Sequence, residues 1–314
     1  MTSDPRGRRV DAAPPLSTRG RWRSRVGEAL VGYLFILPAA AVLVTFQFLP
    51  AFQIFRLSLT NRLLLRPTAT YIGLDNYERL LQDDRFWNSL WNTVYFVLGS
   101  APLQTALALA LAIALAGPLR NMNFLRTIFF LPVAASLVGI SVIWEWIYHP
   151  RLGALNALLD VFGISGPTWL SSSTWAMPAL ILMVIWSGTG YYMIIYLAGV
   201  LDVAKEYYEA AVLDGAGRWQ QFRYVTWPLL QPVTFLIVIL QIINSFQIFT
   251  TVYVMTGGGP VRTTEVLLFY MYQRAFQSLE FGYASAIAVV MFLGLVAMTL
   301  IIRASWGRRV QYDQ

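Results

Sequence analysis

Cysteine is absent from this chain of 314 residues, and histidine and lysine occur once each, as His149 and Lys205. The first absence excludes disulfides, thiol nucleophiles and thiolate metal sites. A single histidine leaves almost nothing for a metal cluster or an imidazole proton relay, so neither a metal site nor a catalytic constellation is expected. Glu206 follows Lys205, so a Gly-x-x-x-x-Gly-Lys-Ser/Thr phosphate loop cannot form. Any ATP that drives this protein is bound elsewhere by that chemistry. Charge is scarce too: 12% of residues are Asp, Glu, Lys or Arg, against about a quarter in a soluble domain.

Apolar residues take up the difference, at 57% of the chain with a mean hydropathy of +0.56. Several runs reach the roughly 18 to 20 residues that cross a bilayer as a helix. The expected class is therefore an all-α integral membrane protein. Six membrane helices are predicted at about 30–55, 89–116, 127–148, 174–201, 232–255 and 283–302. Gly117-Pro118 stops the second, because proline cannot continue the hydrogen-bond ladder, and Pro132 lies near the start of the third. Polar loops fall at 56–88 and 149–173, and the sequence Thr256-Gly257-Gly258-Gly259-Pro260 follows the fifth helix.

Residues 1–28 carry seven arginines against Asp4, Asp11 and Glu28. They read as a basic cytoplasmic tail near anionic lipid, ahead of an uncleaved anchor, and not as a nucleic-acid arm. Residues 29–303 are then a transmembrane domain, and 304–314 a second cytoplasmic tail. Charge supports this topology. The tail, 117–126, 202–231 and the C-terminus hold 15 of the 23 Lys and Arg residues, while the three opposite loops with their helix ends hold 8 basic and 8 acidic ones. The net charge of +7 thus lies wholly on one side, as the positive-inside rule expects for six crossings with both termini in the cytoplasm.

The longest polar segment on that inner side is 202–231. Asp202 is a plausible N-cap, and Glu206 in the first turn suits the helix dipole. Val203, Tyr207, Ala210 and Ala211 recur at helical spacing, Gly215-Ala216-Gly217 breaks the helix, and a second short piece runs from Arg218 to Thr226. Pattern alone is equally compatible with a surface linker and with a helical hairpin built for close approach. The residues Glu209-Ala210-Ala211, Asp214-Gly215-Ala216, Phe222, Val225, Trp227-Pro228 and Pro232 resemble the "EAA" loop of ABC-importer permeases. Trp227 stands where that family usually has leucine. Gly73-Leu74-Asp75-Asn76-Tyr77, Phe86-Trp87, Asn92-Thr93, Leu131-Pro132, Trp144-x-Trp146, Gly153-x-x-Asn156 and the Thr256–Pro260 loop are similar to the carbohydrate branch, the maltose and glycerol-3-phosphate permeases.

The resemblance implies the type I ABC importer permease fold, in a bacterial cytoplasmic membrane. It implies a coupling helix in which Glu209, Ala210, Ala211, Asp214, Gly215 and Ala216 engage a separate ATPase. It also implies a second permease subunit as heterodimer partner, two ATPase copies that carry ATP and Mg, and an external substrate-binding protein. The chain itself would be a non-enzymatic permease that moves a sugar or polyol by alternating access, with no cofactor of its own.

A sugar path needs hydrogen-bonding groups at membrane depth. Gln241, Asn244 and Ser245 share a helical face at i, i+3 and i+4, and Gln247, which points elsewhere on the wheel, is a weaker candidate for the same path. Interhelical hydrogen bonding is the competing account of the same residues. Trp186, Ser187, Tyr191 and Tyr192 form a mixed patch, read either as core packing or as a cavity wall, with Tyr191 a candidate contact. Glu145, between Trp144 and Trp146, is near the outer end of the third helix, either as part of an interface anchor or as a gate. An ion-driven secondary transporter is the alternative function. It would require ionisable residues at mid-membrane and inverted repeats, and neither stands out.

Overall fold

The computed structural model describes residues 18–63, 68–117 and 122–306, with side chains described from Val31 onward. The expected tail at 1–28 lies mostly outside them, as do the middle of the 117–126 loop and most of the 304–314 tail. The described residues fall into two units that divide after Gln53.

The described residues of the first unit are all helical. Helix α1 (Thr18–Leu43) passes through a π-helical turn at Val44–Phe48 into α2 (Leu49–Ser58). The apolar stretch Val31–Ser58 is 28 residues, long enough to span a bilayer. No side chain between Val31 and Gln53 is buried.

The second unit continues through α3 (Asp75–Leu81), α4 (Asp84–Leu115), α5 (Met122–Ala134), α6 (Leu137–Ile147), α7 (Ala154–Val161) and α8 (Ala176–Asp202). Then come the short α9 (Lys205–Leu213), α10 (Arg218–Gln221) and α11 (Trp227–Leu229), the last two joined by a π turn. Helices α12 (Gln231–Phe246), α13 (Thr250–Met255), α14 (Leu267–Tyr272) and α15 (Phe281–Trp306) complete it. Five stretches are long and apolar enough to cross a membrane, and the α5–α6 pair makes a sixth if it is one bent span.

The predicted third helix is thus broken, with α5 and α6 bent by 98° across Ala135-Ser136. Pro132 removes a backbone donor just before the break, and Ser136 takes an extended conformation (φ −62°, ψ 127°). The fifth also stops early, at Phe246, and resumes only at Thr250. The polar loops contain helices of their own, α3 and α7. Asp202 does not cap α9. Helix α8 runs on to include it, and Ala204 holds the cap position with no side-chain bond. The apolar run preceding Asp202 simply carries the helix further than the polar residue would stop it.

Helix α4 is the centre of the unit and packs against α8 and α12. Its buried face is Phe96, Ser100, Gln104, Ala108 and Ala112, at intervals of four. Small residues on such a stripe let helix backbones approach, which is how membrane helices gain contact without a hydrophobic driving force. Helix α5 packs on α8 at Gly190, where an added Cβ would lie 2.1 Å from the Phe129 carbonyl oxygen. Only glycine allows that approach.

Candidate functional site

A cavity of about 360 Å³ opens where α4, α8, α12 and the α5–α6 bend meet. Its size falls in the range of small-molecule sites. Asn244, Ser245, Gln247, Thr250 and Thr251 line it from one side, Gln104, Ser187 and Tyr192 from the other, with Phe96 and Phe249 as aromatic wall. No charged side chain lines it. Asn244 donates from Nδ2 to the Tyr192 hydroxyl at 3.1 Å, leaving its carbonyl oxygen uncommitted. The Ser100 and Ser245 hydroxyls are 3.3 Å apart, and Gln104 donates to the Val184 carbonyl at 3.2 Å. The Thr251 hydroxyl is buried with no hydrogen-bond partner.

Of the residues expected on the path, Asn244, Ser245 and Gln247 line this cavity, while Gln241 and Tyr191 do not. Gln241 is 1% exposed, packed one turn below the cavity, and neither end of its amide is paired. Gln247 reaches the cavity because α12 ends at Phe246, so the wheel that placed it elsewhere no longer applies. Tyr191 is exposed and lies edge-on to Tyr192, which takes the cavity position instead. Gln104, Thr250 and Thr251 were missed. Gln104 had a readable signal, as a lone amide in an apolar run, whereas the threonines depend on the break in the helix.

The hairpin at 202–231 joins the two helices that wall this cavity, α8 and α12. No residue of α9 is buried. Gly215 sits at φ +78°, and the Ala216 N–H returns to the Ala211 carbonyl at 2.9 Å, closing α9 as glycine-terminated helices do. The Tyr208 and Thr226 hydroxyls, 3.0 Å apart, tie the two arms together. Val203, Ala211 and Tyr208 are half-buried, whereas Tyr207, although on the expected stripe, is exposed. Glu209, Ala210, Asp214 and Gly215 are exposed along with Val212 and Leu213, the last at 88%.

The opposite end of the bundle is closed by paired polar groups. Asp83 caps α4 by accepting the Arg85 N–H at 2.9 Å and also accepts the hydroxyls of Tyr270 and Tyr283. Burial would raise the Asp83 carboxyl, but these hydrogen bonds outweigh it and hold it below the ordinary 3.8. Arg85 pairs with the buried Glu265, donating from Nε to Oε2 at 2.8 Å. Asn92 donates to the carbonyls of Arg262 and Glu265, and Arg79 pairs with Glu280 at 3.1 Å. In the Gly73–Tyr77 turn, Gly73 takes φ +61° and Asn76 ties back to the Ser58 and Thr60 carbonyls.

Among known proteins, the family described as binding-protein-dependent transport system inner membrane component matches residues 106–311. A probable ABC transporter permease protein of Bacillus subtilis is 37% identical over 87% of this chain and 94% of its own length. The trehalose/maltose transport system permease protein of Thermococcus litoralis is 34% identical over 87% of this chain and 92% of its own. The lactose transport system permease protein of Rhizobium radiobacter is 35% identical, over 86% and 92%. In fold, the chain is similar to a bacterial ABC transporter involved in the import of the acidic polysaccharide alginate. The TM-score is 0.81 at 21% identity, covering 93% of this chain and all of that one.

Proposed function

Because the chain belongs to the family of binding-protein-dependent transport inner membrane components, and is thus a multi-pass ABC transporter permease, we propose that it conducts an uncharged saccharide or polyol through the cavity beside Asn244. The observation that carries this is the lining: amides, hydroxyls and aromatic rings set in an aliphatic wall that includes Val133, Leu137 and Ile140, without a charged group. Such a wall exchanges hydrogen bonds with a hydroxylated solute and offers rings for stacking. It gives a proton gradient nothing to titrate, and the family match supports the importer over the secondary-transporter alternative. The sugar names of the relatives agree with this reading.

Energy enters through the hairpin. Glu209, Ala210, Ala211, Asp214, Gly215 and Ala216 form the face that docks in a groove of a cytoplasmic ATPase, present in two copies with their ATP and Mg. Since α8 and α12 flank both hairpin and cavity, closure of the ATPases moves the cavity walls directly. A second permease subunit and an external binding protein complete the importer. The excess of basic charge on the hairpin side supports placing that end, and both termini, in the cytoplasm of a bacterial cell. The test is uptake into proteoliposomes holding the permease pair with and without the ATPase. Gly215→Asp should retain membrane insertion and lose coupling of hydrolysis to uptake. Uptake without the ATPase, or normal uptake by Gly215→Asp, overturns the reading.

A further inference from the structure

A second cavity, of about 530 Å³, lies at the end of the bundle away from the hairpin, between the last turn of α6 and the loops after α7 and α13. Glu145, Tyr148, His149, Ser171, Thr256 and Pro260 are among its walls. It stands over the same helix pair as the membrane cavity. Ile140 and Thr251 line the lower one, Glu145 and Met255 the upper one. The steps are five positions along α6 and four along α13, about 6 to 8 Å at helical rise.

Its walls are built, not loose. Tyr148 donates its hydroxyl to the Ala179 carbonyl at 2.8 Å, and its ring meets Trp144 and Trp169. Trp169 donates to Asn156 at 2.6 Å and so holds the 3-10 turn that presents Ser171. At Gly153 an added Cβ would lie 2.4 Å from the carbonyl oxygens of Ile147 and His149, so the turn behind the pocket is closely packed. Nδ1 of His149 accepts the N–H groups of Arg151 (3.3 Å) and Leu152 (3.1 Å), which leaves the ring proton on Nε2 as a donor. Thr256 is already committed to Thr264 and the Val252 carbonyl.

Against this fixed frame one group stands unused. Glu145 is exposed, and among the described residues it has no ion-pair or hydrogen-bond partner. No described lysine or arginine lines the pocket. We infer that this pocket is an antechamber that passes saccharide to the membrane cavity, and that the Glu145 carboxylate makes it selective, accepting neutral or amino sugars and repelling those bearing carboxylates. A carboxylate accepts two sugar hydroxyls at once, and a second carboxylate brought within about 4 Å of it is repelled by about 1 kcal/mol even in water. The inference rests on the saccharide reading above and adds the charge preference and its location.

The complete transporter in nanodiscs, without ATP or binding protein, can be titrated with maltotriose and with trigalacturonate and read by saturation-transfer NMR. The wild type should favour maltotriose. In Glu145→Gln the trigalacturonate-to-maltotriose signal ratio should rise about fivefold, and in Glu145→Lys further, through a charge effect of this range. The maltotriose signal is the control for folding in each variant, and Asn244→Ala reports the lower cavity separately. A ratio unchanged in both Glu145 variants overturns the inference while leaving the saccharide reading standing, as does loss of both signals in those variants alone. If the wild type transfers signal to neither sugar yet takes up maltotriose in proteoliposomes supplied with ATP and binding protein, this inference falls alone; if it takes up none there either, the saccharide reading falls with it.

Discussion

The two ends of the bundle solve opposite problems. Around Asp83, ionisable groups are matched, so that Arg85 meets the buried Glu265, Arg79 meets Glu280 at the surface, and one carboxylate takes two tyrosine hydroxyls. At the hairpin, apolar side chains are pushed out instead: Leu213, Trp219 and Tyr224 are each more than 70% exposed among the described residues. The first end is finished as it folds. The second is left open, which suits a surface awaiting another protein. Stability should therefore reside at one end and coupling at the other, and substitutions can break that division.

The largest effect is expected at the closed end. Arg85→Ala would leave Glu265, only 2% exposed, without its partner. Breaking a buried pair costs about 3–5 kcal/mol, here reduced to about 2–4 because Arg85 is itself partly exposed. Thermal unfolding in detergent measures it, and a change under about 1 kcal/mol would mean that the pair is not the fastening it looks to be.

Between the ends, Asn244→Leu removes the amide that bridges Tyr192 and the cavity. Loss of a substrate hydrogen bond should cut uptake about tenfold with little change in melting temperature. Unaltered uptake would show that the solute does not pass this residue.

At the open end, Leu213→Ala should change unfolding free energy by less than about 0.5 kcal/mol, since the side chain loses no burial in this chain. Retention of the ATPase during purification should nevertheless weaken. A clear loss of stability in the isolated permease would argue that the hairpin is part of the core.

The smallest effect is a pH dependence at Asp83. Its folded pKa lies below the unfolded 3.8, so its stabilising contribution is complete above that value and is lost as pH falls through the folded pKa. The melting difference between wild type and Asp83→Asn should thus be constant from pH 7 to 5 and shrink below about 4. A difference that grows in acid would reverse the assigned sign.

How much of this could be read beforehand differs residue by residue. Asn244 and Ser245 were legible because they are polar, one face apart from lipid, on a helix whose period is known. The same rule set Gln247 on another face, since it assumed a helix that in fact ends at Phe246. Gln241 shares the face but is buried below the cavity, because depth along a helix depends on what packs beside it. The α5–α6 bend escaped notice because Pro132 permits a kink without requiring one of 98°.

What sequence alone determined was one-dimensional: the places of the apolar runs, the segments that carry the positive charge, and the glycine that ends α9. These follow from solvent transfer, helix rise and local backbone sterics, none of which needs a distant partner. What only the tertiary structure decided was pairing. Arg85 and Glu265 stand 180 residues apart and meet because α4 packs beside the loop before α14. Ser187, Thr251 and Asn244 share a cavity because three helix faces converge on it. Glu145, ambiguous in the sequence as anchor or gate, became the one uncommitted charge in a rigid pocket once its neighbours were in place.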